Sequence, residues 1–122
     1  MKNQIVWFDL PVLDLARATA FYEKVLGVTL SKMAGDAMEM ATFPGAGQPG
    51  VSGCITVCTD VKPSADGALM YFDADGRLDE AESAVVPAGG KVLEPKHAIG
   101  PWGFRVVALD SEGNRIALHS SQ

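Results

Sequence analysis

Asp9-Leu10-Pro11-Val12-Leu13-Asp14-Leu15-Ala16-Arg17-Ala18-Thr19-Ala20-Phe21-Tyr22-Glu23-Lys24-Val25-Leu26-Gly27 reads as a strand end, a turn, an amphipathic helix and a stop. Asp14 is a side chain that caps a helix start. Leu15, Ala18, Phe21, Tyr22, Val25 and Leu26 recur at three- and four-residue steps, so they share one helix face. Gly27 suits the left-handed position that ends a helix. Half a chain later the same grammar returns. Tyr71-Phe72-Asp73-Ala74-Asp75 leads through Leu78-Asp79-Glu80-Ala81 to Ala88-Gly89-Gly90-Lys91-Val92. Val12 and Ala74, like Gly27 and Gly89, stand 62 positions apart in a chain of 122. The repeat predicts two copies of one unit, with a functional site between them.

The remaining segments fill out each unit. Ile5–Val12 is rich in β-branched, aromatic and aliphatic residues and reads as a strand. Val28–Ser31 restarts as a strand, and residues 37–42 alternate as a half-buried one. Pro44–Gly53 holds four glycines and two prolines and reads as a loop. Gly53–Thr59 reads as a strand. Lys62–Gly67 is a short polar linker between the copies. Leu78, Ala81, Ala84, Val85 and Ala88 form the second helix face, with Pro87 loosening its last turn. Lys91–Leu93 is read as a strand and Glu94–Gly103 as a loop. Phe104–Ala108, the turn Asp110-Ser111-Glu112-Gly113-Asn114 and Arg115–His119 form a hairpin. The expected fold is α+β: two tandem βαβββ modules, about 1–61 and 68–122 of one domain, forming a curved mixed sheet around a concave pocket.

Bulk properties narrow the function. The net charge is −5, with 48% hydrophobic and 20% charged residues. No basic patch is available to displace phosphate counterions, so nucleic acid and anionic membranes are not expected partners. No apolar run reaches the ~20 residues of a membrane span. Met1-Lys2-Asn3-Gln4 runs straight into a strand, so no signal peptide is expected. Cys54 and Cys58, four apart, are badly placed for a disulfide and read as small hydrophobes of a reducing compartment. A cytoplasmic protein is expected.

The stretches "DLPVLDLARATAFYEKVLGV", "AGGKVLEPKHAIGPWGF" and "LDSEGNRIALHS" resemble the vicinal oxygen chelate superfamily. That group includes glyoxalase I, bleomycin-resistance proteins, extradiol dioxygenases and fosfomycin-resistance enzymes. The resemblance spans nearly the whole chain and implies paired βαβββ modules, usually completed by homodimerisation. It also implies where metal ligands would stand in a metal-dependent member. Those positions carry Trp7, Leu69 and Ala117, with the fourth at Cys54 or Ile55. Three of these have no donor atom, and a divalent ion needs three or four N, O or S ligands. No cofactor and no metal residue are therefore expected.

What remains is a binding site. Trp7 offers a flat wall for a planar ligand. His97 and Trp102 lie in a loop shaped by Gly100, Pro101 and Gly103, where they overhang the pocket mouth. Substrate-binding candidates are thus Trp7, Cys54, Leu69, His97, Trp102 and Ala117; no catalytic residue is assigned. His119, Arg105 and Glu39 are secondary candidates, the first read more readily as a structural histidine and the other two as exposed sheet-edge residues. Met33, Met38 and Met40 read as packing residues. The expected function is metal-free binding of a small organic ligand, sequestering or recognising it as bleomycin-resistance proteins do. The alternative is a metal-dependent lyase, isomerase or dioxygenase with a relocated site built from His97, His119 and Glu39.

Overall fold

The computed structural model describes residues 3–33, 39–58 and 60–122. The first module runs β1 (Trp7–Val12), α1 (Leu15–Leu26), β2 (Ser31–Lys32), β3 (Glu39–Thr42) and β4 (Ser52–Val57). The second runs β5 (Met70–Asp73), α2 (Leu78–Val85), β6 (Lys91–Ala98), β7 (Phe104–Leu109) and β8 (Arg115–Ser120). A single 3₁₀ turn, Gly100–Trp102, joins β6 to β7. Each module makes one four-stranded mixed sheet. The orders are β1-β4-β3-β2 and β5-β8-β7-β6, so first and last strands pair in parallel in both copies. The repeat in the sequence is a repeat of topology. The expected strand residues Ala37, Met38 and Thr59 lie outside the described residues.

Local chemistry sets the helix ends. The Asp14 carboxylate accepts from Arg17 N at 3.0 Å, and Gly27 closes α1 at φ +68° with its N–H on Glu23 O. In the second copy Pro87 cannot continue the helix, and α2 stops at Val85. Gly89 then takes φ +101°, and Gly90 N–H donates back to Val85 O. No helix among the described residues is long and apolar enough to cross a membrane.

Two expectations are corrected. The strand expected at Val28–Ser31 shrinks to the two-residue β2, with Val28, Thr29 and Leu30 outside it. Glu94–Gly103 is not a loop: β6 continues through Glu94, Pro95, Lys96 and His97 to Ala98. Pro95 is tolerated because β6 is the edge strand of its sheet and its register on β7 shifts on both sides of Glu94. Only Ile99–Gly103 turns.

Both modules share one core. Phe8, Tyr22, Phe43 and Phe72 form an aromatic cluster with centroids 5.3–5.8 Å apart. Leu10, Val12 and Ile55 from the first sheet join Val106, Ile116 and Leu118 from the second. Arg77 reaches across to donate to Val25 O at the end of α1.

A buried polar knot ties the β7–β8 turn to the start of α1. Glu112 Oε1 accepts from Leu13 N and Asp14 N, both at 2.9 Å, and from Arg17 at 2.8 Å; Oε2 accepts from Arg17 Nε at 2.7 Å. Asn114 Nδ2 donates to Pro11 O at 2.8 Å. Burial alone would raise the Glu112 carboxyl, but the Arg17 guanidinium and the backbone donors hold it down at about 2. Because its folded pKa lies below the ordinary 4.5, the stability it contributes is complete above about pH 4.5. It is lost as pH falls toward 2. Arg17 is half exposed, so screening trims this to roughly 2 kcal/mol. Urea melts at pH 7, 4.5 and 3 should show that loss in the native chain, and Glu112→Gln should flatten the acid limb.

Candidate functional site

Alternation along each strand separates two faces. In β1, Phe8, Leu10 and Val12 enter the core cluster or pack against it. Trp7, Asp9 and Pro11 therefore point to the other side of the sheet. In β4 Ile55 is in the core cluster, whereas Cys54 is buried outside it, paired with Asp9 on β1 and Thr42 on β3. In the second sheet Phe72, Val106, Ile116 and Leu118 face the core. Tyr71, Arg105, Val107, Ala117 and His119 occupy the opposite face.

The four positions implied by the resemblance all fall on these outer faces. β1 pairs Val12 with Val57, and Ala74 N–H donates to His119 O beside Ser120. Cys54, not Ile55, is therefore the counterpart of Ala117. Trp7 is 41% exposed; its Nε1 donates to Asp9 Oδ1 at 2.9 Å. The Cys54 thiol donates to the same oxygen at 3.3 Å. Burial, then the Asp9 hydrogen bond and charge, push that thiol up to about 12. Leu69 is half buried just ahead of β5, and Ala117 is fully buried between Tyr71 and Val107. One protonated thiol and three side chains without donors do not fit a divalent cation. Among the described residues no group of three or more His, Cys, Asp and Glu could hold a metal.

The thiol carries its own prediction. Iodoacetamide at pH 8 should leave Cys54 unmodified in the native chain and label it fully in urea, read by peptide mass. Rapid native labelling of Cys54 would contradict the hydrogen bond to Asp9.

The second face is more polar. Arg105 pairs with His97 on β6 and with His119 on β8, making a row across three strands. Arg105 Nε donates to His97 Nε2 at 3.0 Å, and Nη1 donates to the Tyr71 hydroxyl at 2.6 Å. His97 Nδ1 lies 2.8 Å from Pro95 O. A carbonyl only accepts, so Nδ1 carries the proton and Nε2 is the acceptor. His119 Nε2 donates to Trp102 O at 2.5 Å. Glu94 lies 3.7 Å from His97 and 3.8 Å from both Arg105 and Arg115.

The structure thus brings Trp7 to Cys54 through Asp9, and His97 to Arg105 and Tyr71. Trp102 is 73% exposed on its turn and touches this second group through His119. Among the described residues no hydrogen bond or ion pair joins the first group to the second. Glu39 pairs with Val57 on the parity of Ile55, away from Cys54. It does not meet His97 or His119. Met40 lies in β3 with Thr42, and Met33 is exposed just past β2. Tyr71 and Glu94 emerge as site residues only in the structure. The signal for Tyr71 was its parity with Leu69, opposite to Phe72. Glu94 had no such signal, because the bulged edge strand that presents it reads as a loop. A crevice of about 450 Å³ between the modules, reached by Tyr71 of this second group, is also lined by Phe8, Phe43, Val51, Phe72 and Asp73, among others.

Residues 4–45 match the sequence model of a family described as bleomycin resistance protein-like N-terminal. No curated protein matches the chain. Among solved structures, a glyoxalase/bleomycin resistance protein from Albidiferax ferrireducens superposes with TM-score 0.74 at 19% identity, covering 97% of this chain and 98% of that one. The fosfomycin resistance protein FosX from Listeria monocytogenes gives 0.68 at 16% identity, over 100% and 96%. A glyoxalase I mutant from Zea mays gives 0.74 at 22% identity, over 95% of this chain and 45% of that one. The chain has the fold of the glyoxalase/bleomycin-resistance proteins. The family match at its N-terminal end and the shared fold both support the resemblance to the vicinal oxygen chelate superfamily.

Proposed function

We propose that this chain is a metal-free binding protein of the glyoxalase/bleomycin-resistance type that sequesters or recognises a small organic ligand. The observation that carries the reading is the donor set. Trp7, Leu69 and Ala117 stand where ligands would be needed, and the Cys54 thiol is held protonated against Asp9. Lewis-acid chemistry needs a set that these residues do not supply. In this reading Trp7 supplies an indole wall for the ligand and His97 with Trp102 a polar rim, while Cys54 and Ala117, both buried, keep the sheet faces behind them small. The neighbours named above are relatives in fold at low identity, so their activities support the ligand-binding class and not a particular compound.

The reading includes a homodimer. Trp7, Tyr71 and Trp102 are 41%, 49% and 73% exposed, and a second copy would enclose these aromatics around a pocket. It also places the protein in the cytoplasm, in keeping with two free cysteines. A thermal-shift screen of metabolites and antibiotics, with light scattering to give the mass, tests both. A saturable ligand should raise Tm; about 2.7 kcal/mol of stabilisation is expected at a hundred times Kd. Trp7→Ala should abolish that shift while leaving the unliganded Tm close to native. Failure of every compound to raise Tm would count against the reading, and a monomer would count against the enclosed pocket.

A further inference from the structure

We infer that the outer face of the second sheet selects ligands bearing a single carboxylate, which Tyr71 and Arg105 bind together. This rests on the small-molecule reading above and adds the ligand's charge. Arg105 has five N–H groups. One donates to His97 Nε2 and one to the Tyr71 hydroxyl. The others have no hydrogen-bond acceptor among the described residues, and Glu94 stands 3.8 Å from Nη2. Arg105 is 22% exposed on its side chain, its guanidinium fixed by the bonds to His97 and Tyr71 and its Nη2 turned toward Glu94, which leaves the second Nη1 N–H, beside the Tyr71 hydroxyl, for a ligand.

Tyr71 completes the arrangement. Its oxygen accepts from Arg105, so its own proton must point elsewhere, and no described residue accepts it. The residue is 49% exposed. A phenol O–H and a guanidinium N–H side by side form a two-donor fork for one carboxylate. The His97 ring keeps that fork in place: with Nδ1–H committed to Pro95 O, Nε2 can only accept from Arg105.

The charge of the face sets the ligand's charge. Arg105 and Arg115 carry two positive charges and Glu94, between them, one negative. Asp73, the acid at the end of the same row, is turned into its own loop, where Oδ1 accepts from Asp75 N at 2.8 Å. That hydrogen bond does not cancel its charge, so Arg105 and Arg115 are balanced by Glu94 and Asp73, and the face has no surplus positive charge to hold a second anionic group. It suits a monoanion rather than a dianion such as phosphate.

The test is calorimetric titration of the full chain at pH 7 with three matched pairs. These are benzoate, naphthalene-2-carboxylate and indole-3-acetate, each beside its primary amide, with inorganic phosphate as a further arm. At least one acid should bind tenfold or more tighter than its amide. Arg105→Gln should erase that preference and Tyr71→Phe should reduce it severalfold, the acid losing more affinity than its amide in both. Tyr71→Phe removes one hydroxyl and keeps the ring, so it gives a result even if Arg105→Gln fails to fold. Equal affinity for acid and amide would overturn the inference while leaving small-molecule binding intact. So would a preference for acids that survives both substitutions, or phosphate binding as tightly as the acids. No binding by any pair would overturn it too; the ligand screen above then decides separately whether the binding reading stands.

Discussion

Asp110→Ala should destabilise the chain by about 3–5 kcal/mol, the largest effect expected of any single polar substitution here. Asp110 is buried at 3% exposure. Its Oδ1 accepts from Glu112 N and Asn114 N, and its Oδ2 from the Tyr22 hydroxyl at 2.5 Å and from Asn114 Nδ2. Alanine would strand all four donors in the core, where each loses its partner without gaining water. The loss also travels. Glu112 and Asn114 are the residues that grip Leu13, Asp14 and Pro11, so loosening their turn also weakens the polar tie between the modules, leaving the shared core. Urea denaturation measures the effect, with Tyr22→Phe expected to lose a smaller part, about 1–2 kcal/mol. Asp79→Ala serves as control. That side chain is 77% exposed and among the described residues pairs with Lys96 alone, so it should change stability by no more than about 0.5 kcal/mol. A loss below about 1 kcal/mol for Asp110→Ala would mean that the knot adds little to the shared core in joining the modules.

Gly90→Ala should cost about 3 kcal/mol, more than most substitutions that add one carbon. A Cβ at Gly90 would sit 2.4 Å from Leu109 O and 2.7 Å from Phe21 Cε1. The first contact is backbone in β7 and cannot rotate away. The second is a fully buried ring of α1, so the strain reaches across the module boundary. Gly67, where a Cβ would meet nothing within 4 Å, is the matched control, and Gly67→Ala should leave Tm close to native. Equal Tm for the two variants would show that α2 and β6 can shift to make room.

These two sites show what was legible in the sequence. The Asp14 cap, the Gly27 stop and the apolar face from Leu15 to Leu26 are local signals, and the structure places α1 where they predict. The hairpin turn from Asp110 to Asn114 was equally readable as a turn. Its role as a tether was not, because Pro11 and Leu13 are about a hundred positions away and nothing local reports such a contact. Gly90 likewise reads as part of a helix end, while its close approach to Phe21 is tertiary. The strand through Pro95 was hidden for the opposite reason. Proline and a bulge make an edge strand look like a loop. In the site, the resemblance singled out Trp7, Leu69 and Ala117, whereas His97, read as a loop residue, lies in β6. The Asp9 bridge from Trp7 to Cys54 and the Tyr71–Arg105–His97 chain depend on which strands pair, which spacing does not reveal.

The measurement to make is calorimetric titration of chelator-stripped, untagged protein with Ni²⁺, Zn²⁺, Fe²⁺ and Mn²⁺. With Trp7, Leu69 and Ala117 at the ligand positions and the Cys54 thiol bound to Asp9, no stoichiometric tight site should appear for any of the four. One tight site per chain, weakened by His97→Ala or His119→Ala, would contradict a metal-free binding protein and put a relocated metal centre in its place.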